Sequence, residues 1–234
     1  MSVRAIAVSG LAVAGLLLAV PAAQAATPAQ AATPAQLTGA HLAARLLPPS
    51  SFPSGYKIVK SGTYNSGGHL EHGPVKHHLA AFSCKTYIVK GLPRTGFGET
   101  ATAESIVSSK HGAYQQGVFQ FASFSQATAF YRQFYAFTVR CRTVTAPFGH
   151  GKVRLTTQSL KKMHLGRLPA FLAKQTLFAT GFPATINDTL TTVSGRDVYF
   201  IDAAGQKVPT KPALSTAVQH LIARVHAFTP RIPT

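Results

Sequence analysis

Four histidines fall within ten positions of one another, His69, His72, His77 and His78, with Glu71 among them. Imidazole and carboxylate are metal ligands, and clusters of this kind build zinc sites. Gly67, Gly68, Gly73 and Pro74 break the segment into a loop, and no two of the four sit at the i, i+4 spacing that presents paired histidines on one helix face. The four are therefore candidate metal ligands set against a solvated polar loop. The loop reading is preferred, and no metal or cofactor is expected. Histidine titrates near 6.5, so the chain's 10 histidines also predict acid sensitivity. Charging them adds repulsion to a chain that is already positive.

Acid/base chemistry is poorly provided for. The 6 carboxylates are Glu71, Glu99, Glu104, Asp188, Asp197 and Asp202, each alone in sequence. Glycosidase-type catalysis needs two of them held about 5–10 Å apart, which only a tertiary coincidence would supply. No Gly-x-Ser-x-Gly elbow, phosphate loop or dinucleotide fingerprint occurs. No catalytic residue is nominated, and a secreted hydrolase ranks behind every binding function. The 2 cysteines, Cys84 and Cys141, are expected to pair in an oxidising compartment. In the chain-entropy account a loop of that size is worth about 4 kcal/mol.

Charge supplies the remaining chemistry. The chain has 23 Lys and Arg against 6 Asp and Glu, a formal net charge of +17, yet only 12% of its residues are charged. That share is about half the usual ~25%, so the imbalance is a shortage of acids. With 46% hydrophobic residues the chain is a folding one rather than a disordered one. The bases are scattered and form no nucleic-acid motif. The densest sets include Lys152 with Arg154 and Lys161 with Lys162, the candidate contacts for an anionic envelope polymer.

Residues 1–25 have a basic start, an apolar run over 5–20 and a small-x-small sequence ending at Ala25, the parts of a secretory signal peptide. The run is short for a membrane span, and no later segment approaches one. Residues 26–36 read as a flexible Ala/Pro/Gln leader, 37–228 as one domain and 229–234 as a tail. A helix capped by Thr38 is predicted over 38–47, ended by Pro48-Pro49. Strands are predicted over 56–63, 100–109 and 113–122, and 75–89 reads equally as helix or strand. Ser125 opens a helix to Cys141, with Phe130, Phe134, Phe137 and Cys141 on one face as a core stripe. Strands follow over 142–146, 152–160 and 170–179, then a hairpin over 190–193 and 198–201 turning at Ser194-Gly195-Arg196-Asp197. A last amphipathic helix carries Leu214, Val218, Leu221, Val225 and Phe228. The fold class is α+β, a mainly antiparallel sheet of about six to eight strands with an N-terminal, a central and a C-terminal helix packed on it. The simplest arrangement places the helices on one face.

Three stretches resemble the extracellular sensor domain of PknH-type receptor kinases of actinobacteria. They are Leu46-Leu47-Pro48-Pro49 with Phe52-Pro53-Ser54-Gly55-Tyr56, then Gln120-Phe121-Ala122-Ser123-Phe124 through Phe130-Tyr131 to Cys141, then Arg196-Asp197-Val198-Tyr199 with the final helix. The resemblance covers most of 37–228. It implies an α+β sandwich with a cleft and a binding or sensing role outside the cell, without catalysis or metal. The chain departs from the receptors in having no kinase domain, no membrane span and a single candidate disulfide. The expected function is a secreted, non-enzymatic binding or sensor-type domain for an unknown extracellular small molecule. The alternative is an envelope-associated module that binds anionic polymers. Neither specific nucleic-acid binding nor a membrane span after signal removal is expected.

Overall fold

The computed structural model describes residues 37–66, 75–93, 95–205 and 211–227. The signal peptide, the leader, the tail, Glu71, His69 and His72 lie outside them. The elements are α1 (Gly39–Ala43), β1 (Lys57–Asn65), α2 (Cys84–Lys90), β2 (Ala101–Ser109), β3 (Gly112–Gln120) and α3 (Phe124–Arg140). They continue with β4 (Thr143–Phe148), β5 (Gly151–Leu165), β6 (Leu168–Ala179), β7 (Thr185–Ser194), β8 (Asp197–Gly205) and α4 (Lys211–His226). A single 3-10 turn, Pro49–Ser51, follows α1.

All eight strands form one antiparallel sheet in the order β1-β2-β3-β8-β7-β6-β5-β4. After β3, α3 carries the chain to the far edge. The last five strands then return as a meander until β8 pairs with β3. Short turns enforce this course, since they permit only antiparallel neighbours. Ser194 pairs with Asp197 across the expected hairpin turn. There Gly195 takes a φ of 57°, a left-handed geometry open to glycine without strain.

The helices occupy both faces, so the one-face expectation is corrected. Successive strand side chains alternate between faces. On β6, Ala170 and Leu172 enter a core with α1 and α4, while Phe171 enters a second core with α3. The last helix puts Leu214, Val218, Leu221 and Val225 of the predicted stripe into the first core, while Phe228 lies outside the described residues. A sheet covered on both faces is why the strands carry so many apolar residues at adjacent positions.

Several boundaries moved for identifiable reasons. The central helix starts at Phe124, one residue earlier than expected, and Ser123 rather than Ser125 caps it. Ser123 accepts from Gln126 N at 3.2 Å and the Gln126 side chain accepts from Ala122 N at 3.2 Å, a reciprocal cap. The first helix is shorter than 38–47, although Thr38 caps it as expected. The fully buried Gln116 of β3 takes both backbone groups of Leu47, accepting from its N–H at 2.9 Å and donating to its carbonyl at 2.7 Å. In 75–89 only Val75 bridges to a strand-like partner, Phe97, while Ser83 caps α2. The longest of the described strands, β5, runs past 160 through a bulge between Thr157 and Ser159 that switches which face its odd residues take.

Candidate functional site

Between α2–α3 and the sheet lies a cleft of about 490 Å³, within the range of small-molecule sites. Its roof is apolar: Tyr87 and Ile88 from α2, Leu92 just beyond it, and Phe130 and Phe134 from α3. Two anchors hold this roof. The Cys84–Cys141 disulfide joins the first residue of α2 to the C-cap of α3, with Cα atoms 5.4 Å apart. Next to it, the Arg140 guanidinium donates to the carbonyls of Leu79, Ala80 and Phe82, fixing the turn that leads into α2. Cys141 is buried as expected and Cys84 is half-buried, so the bridge sits at the helix ends rather than under α3. Phe130 and Phe134 belong to the stripe read as core. They do pack in the second core, and they also wall the cleft.

The floor is polar at its centre. In register, Gln115 of β3 lies opposite Asp202 of β8, and Asp202 lies opposite Thr189 of β7. Thr189 Oγ1 donates to Asp202 Oδ1 at 2.9 Å. Burial pushes the Asp202 carboxyl up to about 6; hydrogen bonds from Thr189 and Asn187 oppose the rise, and the Asp188 charge adds to it. Burial and the Asp202 charge together push the Tyr87 phenol up, which sets roof and floor facing each other. Gln115 Nε2 donates to Glu104 Oε2 at 3.3 Å. Asn187 Oδ1 and Thr191 Oγ1 are buried without a hydrogen-bond partner, and both residues line the cleft.

Gly117 makes room for one aromatic wall. A Cβ there would meet the Phe200 ring at 2.3 Å, so this ring lies across β3 only because residue 117 has no side chain. Phe119 packs against both Phe200 and Phe130, with centroids 5.8 and 5.3 Å apart, and joins floor to roof.

The described residues among the sites nominated from sequence lie elsewhere. His77 packs against Phe82 and Phe97 and lies beside the fully buried Glu99, while His78 is exposed. Glu99 accepts from the N–H groups of Gly96 and Phe97 at 2.6 and 2.7 Å, so this corner ties down a loop. Among the described residues no group of three or more His, Cys, Asp or Glu gathers as a metal would require. Lys152 and Arg154 are exposed two residues apart, so they share one face of β5. The bulge brings Lys161 to that face as well, further along the strand, and turns Lys162 to the other. There Lys162 Nζ sits 4.7 Å from the centre of the Tyr135 ring. The four bases therefore form no single cluster.

Sequence reading missed the whole floor. Asp202, Asn187, Thr189, Thr191 and Gln115 come from three strands, and only their alternation within β3, β7 and β8 could have marked them. Glu104 and Asp202, isolated in sequence, share this cleft from strands on either side of β3.

A crystal structure of the extracellular domain of PknH from Mycobacterium tuberculosis is similar to this fold. The TM-score is 0.58 at 18% sequence identity, over 82% of this chain and 99% of that one. No protein-family model and no curated protein matches the chain. The likeness carries the fold: an antiparallel α+β sheet of the PknH extracellular type. Among the described residues no helix is long and apolar enough to cross a membrane.

Proposed function

We propose that this chain is an exported, non-catalytic domain of the sensor or binding type that holds a small extracellular molecule in the cleft beneath α2 and α3. The observation that carries the reading is the cleft itself, about 490 Å³ with an aromatic roof and a polar floor. The signal-like 1–25 segment and the likeness to an extracellular domain support the location. No Ser, Cys or His lines the cleft among the described residues.

The test is a fluorescent apolar probe. The chain has no Trp, which leaves the naphthalene window free of indole emission. Saturable binding of 1-naphthalenemethanol, abolished by filling the cleft with Ala204→Phe, is the expected result. Non-saturable uptake, or uptake indifferent to the filling, refutes it. N-terminal sequencing of protein from culture medium checks export, with Ala26 expected as the first residue.

A second reading is favoured by one observation. Lys152 and Arg154 are exposed on a sheet face beside Phe178, which is 49% exposed and pairs with Arg154. A basic and aromatic patch of this kind suits an anionic envelope polymer. Retention on isolated envelopes that is lost between low and moderate salt, and lost again in Lys152→Ala/Arg154→Ala, would support it.

A further inference from the structure

The polar groups that line the cleft are unevenly supplied with partners, and the imbalance has a sign. Asp202 offers two carboxylate oxygens, with room for about four hydrogen bonds. Thr189 and Asn187 each supply one. Asn187 Oδ1, an acceptor, is buried with no partner. Thr191 is 1% exposed, and its hydroxyl also lacks a partner. Gln115 is committed to Glu104. The floor thus presents unmet acceptors and asks its occupant for donors. The roof asks for an apolar body, since Phe119, Phe130, Phe134 and Phe200 face the same space.

We infer that the cleft selects small molecules with an apolar body and a cationic, hydrogen-bond-donating head, an ammonium group, with the head seated on Asp202 and Asn187. This rests on the reading of the cleft as a binding site and names the class of its ligand. An anionic head meets the half-buried Asp202 carboxylate, and the donors within its reach are the Thr191 hydroxyl, the Tyr87 phenol and, where the cleft opens to solvent, Lys60 and Lys90. A wholly apolar occupant leaves the Asp202 charge uncompensated and Asn187 Oδ1 without a donor. The positive net charge does not forbid a cation. Lys60 and Lys90 line the cleft but are exposed to solvent, where salt screens them within about 8 Å.

Capture is then pH-dependent. The groups that face Asp202 are Tyr87 from α2, Glu104 from β2 and the two lysines, with Asp188 next along β7 on the opposite face. No histidine lines the cleft among the described residues. The carboxyl titrates at about 6, so its ionised fraction falls about tenfold between pH 7.5 and 5. The affinity for an ammonium head falls with it.

Three probes with one naphthylmethyl body separate the terms: 1-naphthylmethylamine, 1-naphthalenemethanol and 1-naphthaleneacetate, titrated by fluorescence against the full chain. The amine should bind at least tenfold more tightly than the alcohol at pH 7.5, and the acetate more weakly than either. The amine should lose about tenfold in affinity by pH 5 while the alcohol changes less than twofold. Asp202→Asn should remove the amine's advantage over the alcohol. Thr189→Val, which removes one partner of Asp202 and keeps the carboxyl, should retain the advantage. Equal affinity for amine and alcohol, or preference for the acetate, overturns the ammonium head and leaves the cleft intact. Failure of all three to bind overturns both.

Discussion

Asp202 is held in an environment that penalises its charge, so replacing it should stabilise the empty protein. Its carboxyl titrates at about 6 in the fold, against 3.8 for an unperturbed group. A shift of roughly two units corresponds to about 3 kcal/mol between the two protonation states. Because the folded value is raised, the folded state binds the proton more tightly than the unfolded chain does. The ionised carboxyl therefore costs stability, fully above about pH 6 and not at all below about pH 4. Asp202→Asn carries no charge, and its side-chain oxygen still accepts from Thr189. At pH 7.5 the variant should gain up to about 3 kcal/mol, which for a domain of this size is a Tm rise of roughly 6–12 °C. At pH 5 about half of the gain should remain, and at pH 4 about a fifth. Thermal melts followed by far-UV circular dichroism, for both proteins at the three pH values, measure it. A variant that melts at or below the wild-type temperature at pH 7.5 refutes the claim that burial dominates at this carboxyl. A gain that does not shrink toward pH 4 refutes its electrostatic origin.

Replacing both Cys84 and Cys141 by Ser opens a loop of separation 57 and should cost about 4 kcal/mol, read as a lower urea midpoint; reductant should reproduce the loss in the wild type only. Gly117→Val drives a side chain into the Phe200 ring and should cost about 1–3 kcal/mol in urea unfolding while weakening naphthyl-probe binding. Gln116→Ala strands the N–H and carbonyl of Leu47 and the Ser105 hydroxyl and should cost about 2–4 kcal/mol, with faster amide exchange at Leu47.

The parts of the fold that were legible from sequence are those where burial has one period. The last helix has a single apolar stripe, and Leu214, Val218, Leu221 and Val225 fill one core. The Ser194–Asp197 turn was readable because a glycine sits where the backbone needs a positive φ. The cysteine pair was readable from number and expected compartment. The first half of β7 was not, and the reason is the face it turns to the cleft. Thr185, Asn187 and Thr189 alternate toward a polar cleft, so the segment lacks the apolar beat that marks a strand. The switch of faces in β5 was hidden because a bulge leaves no compositional trace. The candidate site was hidden for a further reason. Its acceptors become a group only when β8 pairs with both β3 and β7, and nothing local announces that pairing.

That pairing has a consequence for how the chain reaches its native state. The β3–β8 ladder is the sole strand-to-strand junction between the first three strands and the last five. It joins residues such as Gln120 and Asp197, 77 positions apart. Closing so long a loop is entropically slow. Until β8 has formed, the inner edge of β3 exposes unpaired backbone groups, an invitation to pair with another chain. The docking of β8 also completes the cleft floor, so the cleft exists only once the two segments have been zipped together, and its formation reports on complete folding.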